Sequence, residues 1–192
     1  MPDSLIVFTP RAERDAAENL GDFIAMSRSQ LTIFGAGLRF NDMTWDLTDT
    51  MQLKAHGKNR IRICFSTQET VDNIQPTQMA EPFVSFAKAY VRYMQGMRPT
   101  KNPAFRVTAL RALDAAFRMG GHLIPVMMDG DTFNRAARII ADRLSGSTAY
   151  RVGTQLELIA RFMSEHRLTA IPLSWRSPDQ STARYDSCGA GV

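Results

Sequence analysis

The sequence lacks the features that would assign it to several large classes of protein. Only two of its 192 residues are cysteines, Cys64 and Cys188, and their wide separation suggests neither a disulfide framework nor a zinc site. No run approaches the roughly 20 apolar residues that a membrane-spanning helix requires. The first nine residues contain no basic segment and no small-residue cleavage site, so we expect no secretory signal. We therefore expect a cytoplasmic protein in a reducing environment, with no membrane partner.

Residues that usually carry catalysis are also scarce. The three histidines, His56, His122 and His166, have no partner at the spacing of a metal site. The chain has neither a phosphate-binding glycine loop nor a nucleophile-elbow serine, and the glycines at 35–37 predict only a turn. Cys64 falls in an alternating apolar run, which favours a structural thiol over a nucleophile. We therefore predict no metal, no cofactor and no enzymatic activity.

The composition itself is that of a globular protein, with 44% apolar and 22% charged residues. The net charge of +4 is unevenly distributed: residues 1–81 carry 8 Lys and Arg against 11 Asp and Glu, whereas residues 82–168 carry 13 against 6. Because arginine pairs with phosphates and with guanine edges, the second segment is a candidate surface for a polyanion. Solvated helix faces would explain the same pattern.

Local patterns predict a helix and a hairpin in the first part of the chain. A good N-cap at Thr9, followed by proline, predicts a helix from Pro10 to about Gln30. The alternating runs 44–48 and 60–65 flank a polar segment that contains glycine, which predicts a small antiparallel hairpin. The second run places three apolar side chains on one face: Ile61, Ile63 and Phe65.

The second part of the chain is predicted to be helical. Residues 66–80 resemble a linker and the sign of the charge changes after them, so we place a domain boundary near residue 81. Apolar stripes of helical period then predict four helices, at 82–97, 102–119, 131–144 and about 147–166. The fold class is therefore mainly α with a small β-hairpin: an N-terminal α+β segment at 1–81, a four-helix bundle at 82–168 and an extended or disordered tail at 169–192.

The start of the fourth bundle helix concentrates side chains suited to nucleic acid. Helix N-termini offer free N–H groups and partial positive charge to phosphates, and their side chains project ahead of the scaffold. We predict groove or phosphate contacts from this helix start at Ser147, Thr148, Tyr150 and Arg151. Further contacts are predicted from Lys88, Lys101, Arg106, Thr108 and Arg111. A packed tyrosine with solvated arginines is the alternative interpretation of the same residues.

Several short segments of the sequence resemble bacterial site-specific integrases of the tyrosine-recombinase type. The resemblance covers most of residues 5–178 and rests on Leu31–Gly35, Trp45-Asp46, Pro82–Tyr90, Leu110–Leu113, Ser147–Glu157 and Leu173–Pro178. It implies that residues 82–168 form a SAM-like core-binding domain, which clamps the duplex of a recombination site. Residues 1–81 would then be an N-terminal extension.

The chain departs from that family in its catalytic residues. Such recombinases cut DNA with a C-terminal domain that holds two arginines, a His-x-x-Arg motif and a tyrosine nucleophile. No histidine here is followed by arginine at the third position, and Tyr185 lies in a polar tail. The resemblance therefore implies a fragment of an integrase that binds double-stranded DNA without cleaving it.

Two other functions stay open at this stage. The complementary charges of the two halves suit a protein-interaction module, in which the acidic N-terminal part docks on the basic helices and no nucleic acid takes part. A small hydrolase or transferase would require a polar pocket with a perturbed titratable group. Self-association and the DNA sequence recognised are not determined by these patterns.

Overall fold

The structure is a computed structural model that describes residues 7–48, 61–69, 75–100 and 102–178. Over these ranges the chain forms five α-helices and one two-stranded antiparallel hairpin, which confirms the predicted fold class. The elements are α1 (Ala16–Ser29), β1 (Thr44–Asp46), β2 (Arg62–Cys64), α2 (Phe83–Met97), α3 (Ala104–Met119), α4 (Gly130–Arg143) and α5 (Gly146–Glu165). Helices α2–α5 pack as a bundle behind α1 and the hairpin. No helix in the described ranges has both the length and the apolar character to cross a membrane.

Helix α1 begins later than the sequence pattern predicted. The N-cap is Asp15, whose side chain accepts a hydrogen bond from the Glu18 N–H at 2.8 Å, while the Asp15 N–H donates to the Glu18 carboxylate at 3.1 Å. This reciprocal capping box satisfies two backbone donors, so it sets the helix start more strongly than the proline at position 10 does. The predicted start at Pro10 was therefore wrong.

The predicted hairpin is confirmed, with Trp45 opposite Ile63 in its register. Ile61, Ile63 and Phe65 are all buried, as their alternation indicated, whereas Arg62 is exposed. The predicted turn at 56–59 lies outside the described residues. The predicted linker pairs back on the strand: the Met79 N–H donates to the Phe65 carbonyl at 2.9 Å.

The bundle helices begin and end within two residues of the predicted bounds, and α4 begins one residue earlier than predicted. That helix is capped by Asp129, whose carboxylate accepts hydrogen bonds from the backbone N–H and the hydroxyl of Thr132 at 2.9 and 2.8 Å. Asp131, at which the sequence pattern places the start of this helix, instead lies in the first turn. Large side chains from all four helices fill the core: Phe83, Phe86, Leu110, Phe117, Phe133, Leu156 and Ile159.

The hydrophobic core runs across the predicted boundary at residue 81. The Phe23 ring of α1 lies 5.7 Å from the ring of Tyr93 in α2 and 5.2 Å from that of Phe162 in α5. The buried Ser27 hydroxyl donates to the Ala89 carbonyl at 3.4 Å. The two parts thus share one buried cluster, and their division into domains stays a prediction.

Residues 168–178 form an extended segment that we call the C-terminal strap. The Trp175 indole N–H donates to the Asn134 side-chain oxygen of α4 at 2.9 Å, and its ring lies 5.4 Å from that of Phe133. The strap then reaches α5, where the buried Ser177 packs against Gly153. The predicted tail is therefore extended and docked as far as residue 178; the remainder lies outside the described residues.

Candidate nucleic-acid interface

The first turn of α5 carries exposed polar groups. Its N-cap is Ser145, whereas the N-caps of α2, α3 and α4 are Pro82, Pro103 and Asp129. Ser145 precedes the helix without a side-chain cap to the backbone, and the first turn holds no acidic residue. Ser147 and Arg151 are exposed, while Thr148 and Tyr150 are half-buried. The first N–H groups of this turn, at residues 146–148, have no partner within the helix, so they keep the partial positive charge of the helix end.

Arg151 joins the start of α5 to the start of α3. Its guanidinium carbon lies 5.5 Å from the ring centroid of Phe105, which is within the range of a cation–π interaction. Thr108 follows Phe105 by three residues, which places both on the same side of α3. Two of the predicted contact regions, around Thr108 and Arg151, therefore meet at one end of the bundle.

A cleft at Thr108 adds an arginine that the sequence patterns did not single out. The cleft has a volume of about 270 Å³, and its lining includes Thr108, Arg111 and Arg143, apolar side chains of α3 and α4, and residues 67–69, of which Glu69 is acidic. Arg143 is exposed in the last turn of α4, three residues before α5 begins. Neither Arg143 nor Arg151 forms an ion pair with any residue that the structure describes.

We call this region the basic end of the bundle, and it is defined by Thr108, Arg143, Ser147, Thr148, Tyr150 and Arg151. Five of these six side chains were predicted contacts; Arg143 is the addition. Its signal in the sequence is its position in the last turn of one predicted helix, just before the start of the next. Two guanidinium groups without an ion pair among the described residues, four hydroxyl groups and a helix start can together accept an anionic backbone.

Arg111 lies at the edge of the cleft but holds the hairpin in place. Its Nε donates to the Ser66 carbonyl at 3.1 Å and its Nη2 to the Cys64 carbonyl at 3.3 Å. Its Nη1 lies 4.0 Å from the exposed Glu69 carboxylate, and its own side chain is 15% exposed. Burial lowers the pKa of the guanidinium. Arg111 is thus committed mainly to fastening residues 64–69 to α3.

Lys88 and Arg106 lie in the interior, which corrects the expectation that they face solvent. Lys88 is 2% exposed, with its Nζ 5.6 Å from the ring centroid of Phe65, and burial lowers its pKa. Arg106 is 7% exposed, and its Nη1 donates to the Gln95 side-chain oxygen at 2.7 Å; burial lowers its pKa as well. Neither side chain can contact a phosphate in this arrangement.

Lys101 lies outside the described residues, and no contact is assigned to it. Among the residues that the structure does describe, no three His, Cys, Asp or Glu side chains gather where they could hold a metal ion. Among the described residues, the candidate interface is therefore the basic end.

Comparison with known proteins adds no family assignment, since no protein family, curated protein or solved structure matches this chain. The resemblance to tyrosine recombinases rests on the short sequence segments given above. The basic end of the bundle is therefore the feature of the structure that bears on function.

Proposed function

We propose that this chain binds double-stranded DNA through the basic end of the bundle and does not cleave it. The observation that carries the proposal is the contact of Arg151 with Phe105, because it gathers the starts of α3 and α5 at one place. The resemblance to the core-binding part of tyrosine recombinases supports the same function.

The chemistry of binding follows from the groups that are exposed there. Arg143 and Arg151 would neutralise phosphates, and the N–H groups at the start of α5 would add a partial positive charge. Because the ring of Phe105 already holds Arg151, less side-chain entropy is lost when its guanidinium meets a phosphate. Thr148 and Tyr150 are close enough to the helix start to reach base edges or the sugar–phosphate backbone.

The absence of cleavage follows from the residues available. His122 lies 2.9 Å from the Thr132 hydroxyl, and the His166 Nδ1 lies 2.9 Å from the Phe162 carbonyl oxygen. Both histidines thus make structural contacts within the bundle. The His-x-x-Arg motif of the resembled recombinases does not occur in the sequence.

Fluorescence anisotropy with a labelled duplex of about 30 base pairs, measured over a series of salt concentrations, tests the proposal. Each neutralised phosphate contributes about −0.9 to the slope of log K against log salt. Replacing Arg143 and Arg151 together with alanine should weaken binding at least tenfold and reduce the magnitude of this slope by about 2. The matched control replaces two exposed arginines of the N-terminal part, Arg11 and Arg39, and should leave the slope unchanged.

Two results would refute the proposed surface. One is an equal loss of affinity in the control and in the double variant of the basic end, which would indicate a diffuse charge effect. The other is the absence of salt-dependent binding in the unaltered protein. Product analysis on denaturing gels should show no strand cleavage after incubation with the duplex.

The alternative of a protein-interaction module has one observation in its favour, the docking of the N-terminal part on the helices. This docking uses apolar contacts together with Arg111, and its one ion pair among the described residues is the 4.0 Å approach of Glu69 to Arg111. The described N-terminal residues leave Arg143 and Arg151 exposed. Internal docking therefore does not account for the basic end, which is why we favour DNA.

A further inference from the structure

Large apolar side chains are exposed together at the other end of the bundle. Seven such side chains are exposed in the described ranges, and five of them belong to one region. These five, which we call the apolar patch, are Met119 (72% exposed), Leu123 (79%), Ile124 (42%), Met127 (50%) and Ile171 (71%). The first four lie at the end of α3 and in the loop to α4. The fifth is held beside that loop because the Ala170 N–H donates to the Val126 carbonyl at 2.9 Å.

The patch is well separated from the basic end. Helix α3 carries Phe105 and Thr108 near its start and Met119 as its last residue. With a rise of 1.5 Å per residue, the 14 residues from Phe105 to Met119 span about 21 Å. The patch and the basic end therefore lie at opposite ends of α3.

A cleft adjoins the patch, since its lining includes Val126 and Ala170, the chain neighbours of Met127 and Ile171. It has a volume of about 560 Å³, and its apolar lining comes from Ala16, Ala17, Val126, Ala170 and Pro172. Asp15, Ser164, Arg167 and Thr169 also line this cleft, so its lining carries both signs of charge. An exposed apolar group beside a largely apolar recess that carries both charges can be complementary to a copy of itself turned by a two-fold rotation.

The amount of exposed apolar surface fits an interface between two copies. Five side chains exposed to this degree contribute on the order of 500 Å², near the upper end of patches on proteins that act alone. Two copies face to face would remove roughly 1,000 Å² from water, about the lower limit for a specific protein interface. A lipid surface is a poorer match, because interfacial anchors surround their apolar residues with Lys and Arg rather than with both charges.

We propose that the apolar patch and the adjoining cleft form a two-fold interface between two copies of this chain. Each copy places Leu123 and Ile171 against the other copy's cleft. The methionines adapt to the shape of the facing surface, since their side chains are flexible and polarisable. The dimer would carry two basic ends directed away from the interface, although its formation does not depend on DNA binding.

Sedimentation equilibrium of the full chain, from about 5 to about 200 μM, tests this proposal. The unaltered protein should fit a monomer–dimer equilibrium with no larger species. Leu123→Asp and Ile171→Asp should each raise the dissociation constant at least tenfold, because a carboxylate would be buried in an apolar contact. The control is Met97→Asp, which alters a methionine that is 41% exposed at the end of α2 and should leave the equilibrium unchanged. Far-ultraviolet circular dichroism should show equal helix content in all four proteins.

Three results would overturn the dimer: a single monomeric species at all concentrations, open-ended association, or an equal effect of Met97→Asp. Anisotropy with a short duplex separates this proposal from the proposed function. Leu123→Asp should retain the salt-dependent binding of one duplex per chain. The double replacement of Arg143 and Arg151 should lose that binding and still dimerise.

Discussion

The contact between Gly153 and the C-terminal strap predicts that Gly153→Ala changes the free energy of unfolding in opposite directions in two backgrounds. These backgrounds are the unaltered protein and the Ser177→Gly variant. A Cβ added at Gly153 would lie 2.6 Å from the Ser177 hydroxyl oxygen and 3.5 Å from the Ser177 Cβ. Both residues are buried, and Trp175 anchors the strap two residues earlier. Gly153→Ala therefore forces either the Ser177 side chain or the strap to shift.

Two effects of known size compete in this variant. Alanine in place of glycine within a helix contributes about 1 kcal/mol of stability. Overpacking a tight contact costs about 1–3 kcal/mol, so Gly153→Ala should destabilise the protein by about 1 kcal/mol. With Ser177→Gly already present, the obstructing side chain is gone, and the same alanine should instead stabilise by about 1 kcal/mol. The coupling between the two positions is then about 2 kcal/mol.

Urea unfolding of the four proteins of this cycle, followed by circular dichroism, measures the coupling. The midpoints should shift in opposite directions in the two backgrounds, while the denaturant slopes stay equal. Tryptophan fluorescence should also change in Gly153→Ala, since Trp175 lies in the displaced strap. If alanine stabilised the protein equally in both backgrounds, the strap would not pack against α5 as described.

Three further predictions concern the N-terminal part and its contact with the bundle. Arg92 is 0% exposed; its Nη2 donates to the Gln30 side chain, and its Nε and Nη1 have no described partner. Arg92→Met should therefore leave the free energy of unfolding unchanged or raise it by about 1–2 kcal/mol. A clear decrease of this free energy in urea unfolding would contradict the prediction. Asp15→Ala removes the capping box and should lower the free energy of unfolding by about 1 kcal/mol, whereas Asp15→Asn should lose less of it. Hydrogen bonds from Thr48, with a further one from Arg62, lower the pKa of Asp46 from 3.8 to about 2, so its contribution to stability is present above pH 4 and is lost as the pH falls from about 4 to about 2. Carboxyl titration by nuclear magnetic resonance should show this value, and Thr48→Ala should return it toward 3.8.

Patterns local in the sequence predicted the elements of the fold well. The period of 3.6 residues marked Val152, Leu156, Ile159 and Met163 of α5, and all four are buried. Alternation marked the buried face of the second strand in the same way. The late start of α1 is also encoded locally, since Asp15 and Glu18 have capping-box spacing, and this box sets the helix start more strongly than the proline at position 10.

The burial of Lys88 could not be read from a single helical stripe. That interpretation assumes one buried face, whereas α2 is covered on one side by the bundle and on the other by α1 and the hairpin. The nearly continuous apolar run from Phe83 to Val91 is the signal of such a central helix. Arg111 is a different case, because its partners are backbone carbonyls more than 40 residues away, and no local pattern specifies them.

Binding at the basic end can be tested by titrating the isotope-labelled protein with a short duplex and following its backbone amide resonances. We expect the largest chemical-shift changes at residues 147–151, in the region of Phe105 and Thr108, and at Arg143. They should diminish as salt is raised. Shifts concentrated at the apolar patch, or spread evenly over the N-terminal part, would contradict binding at the basic end of the bundle.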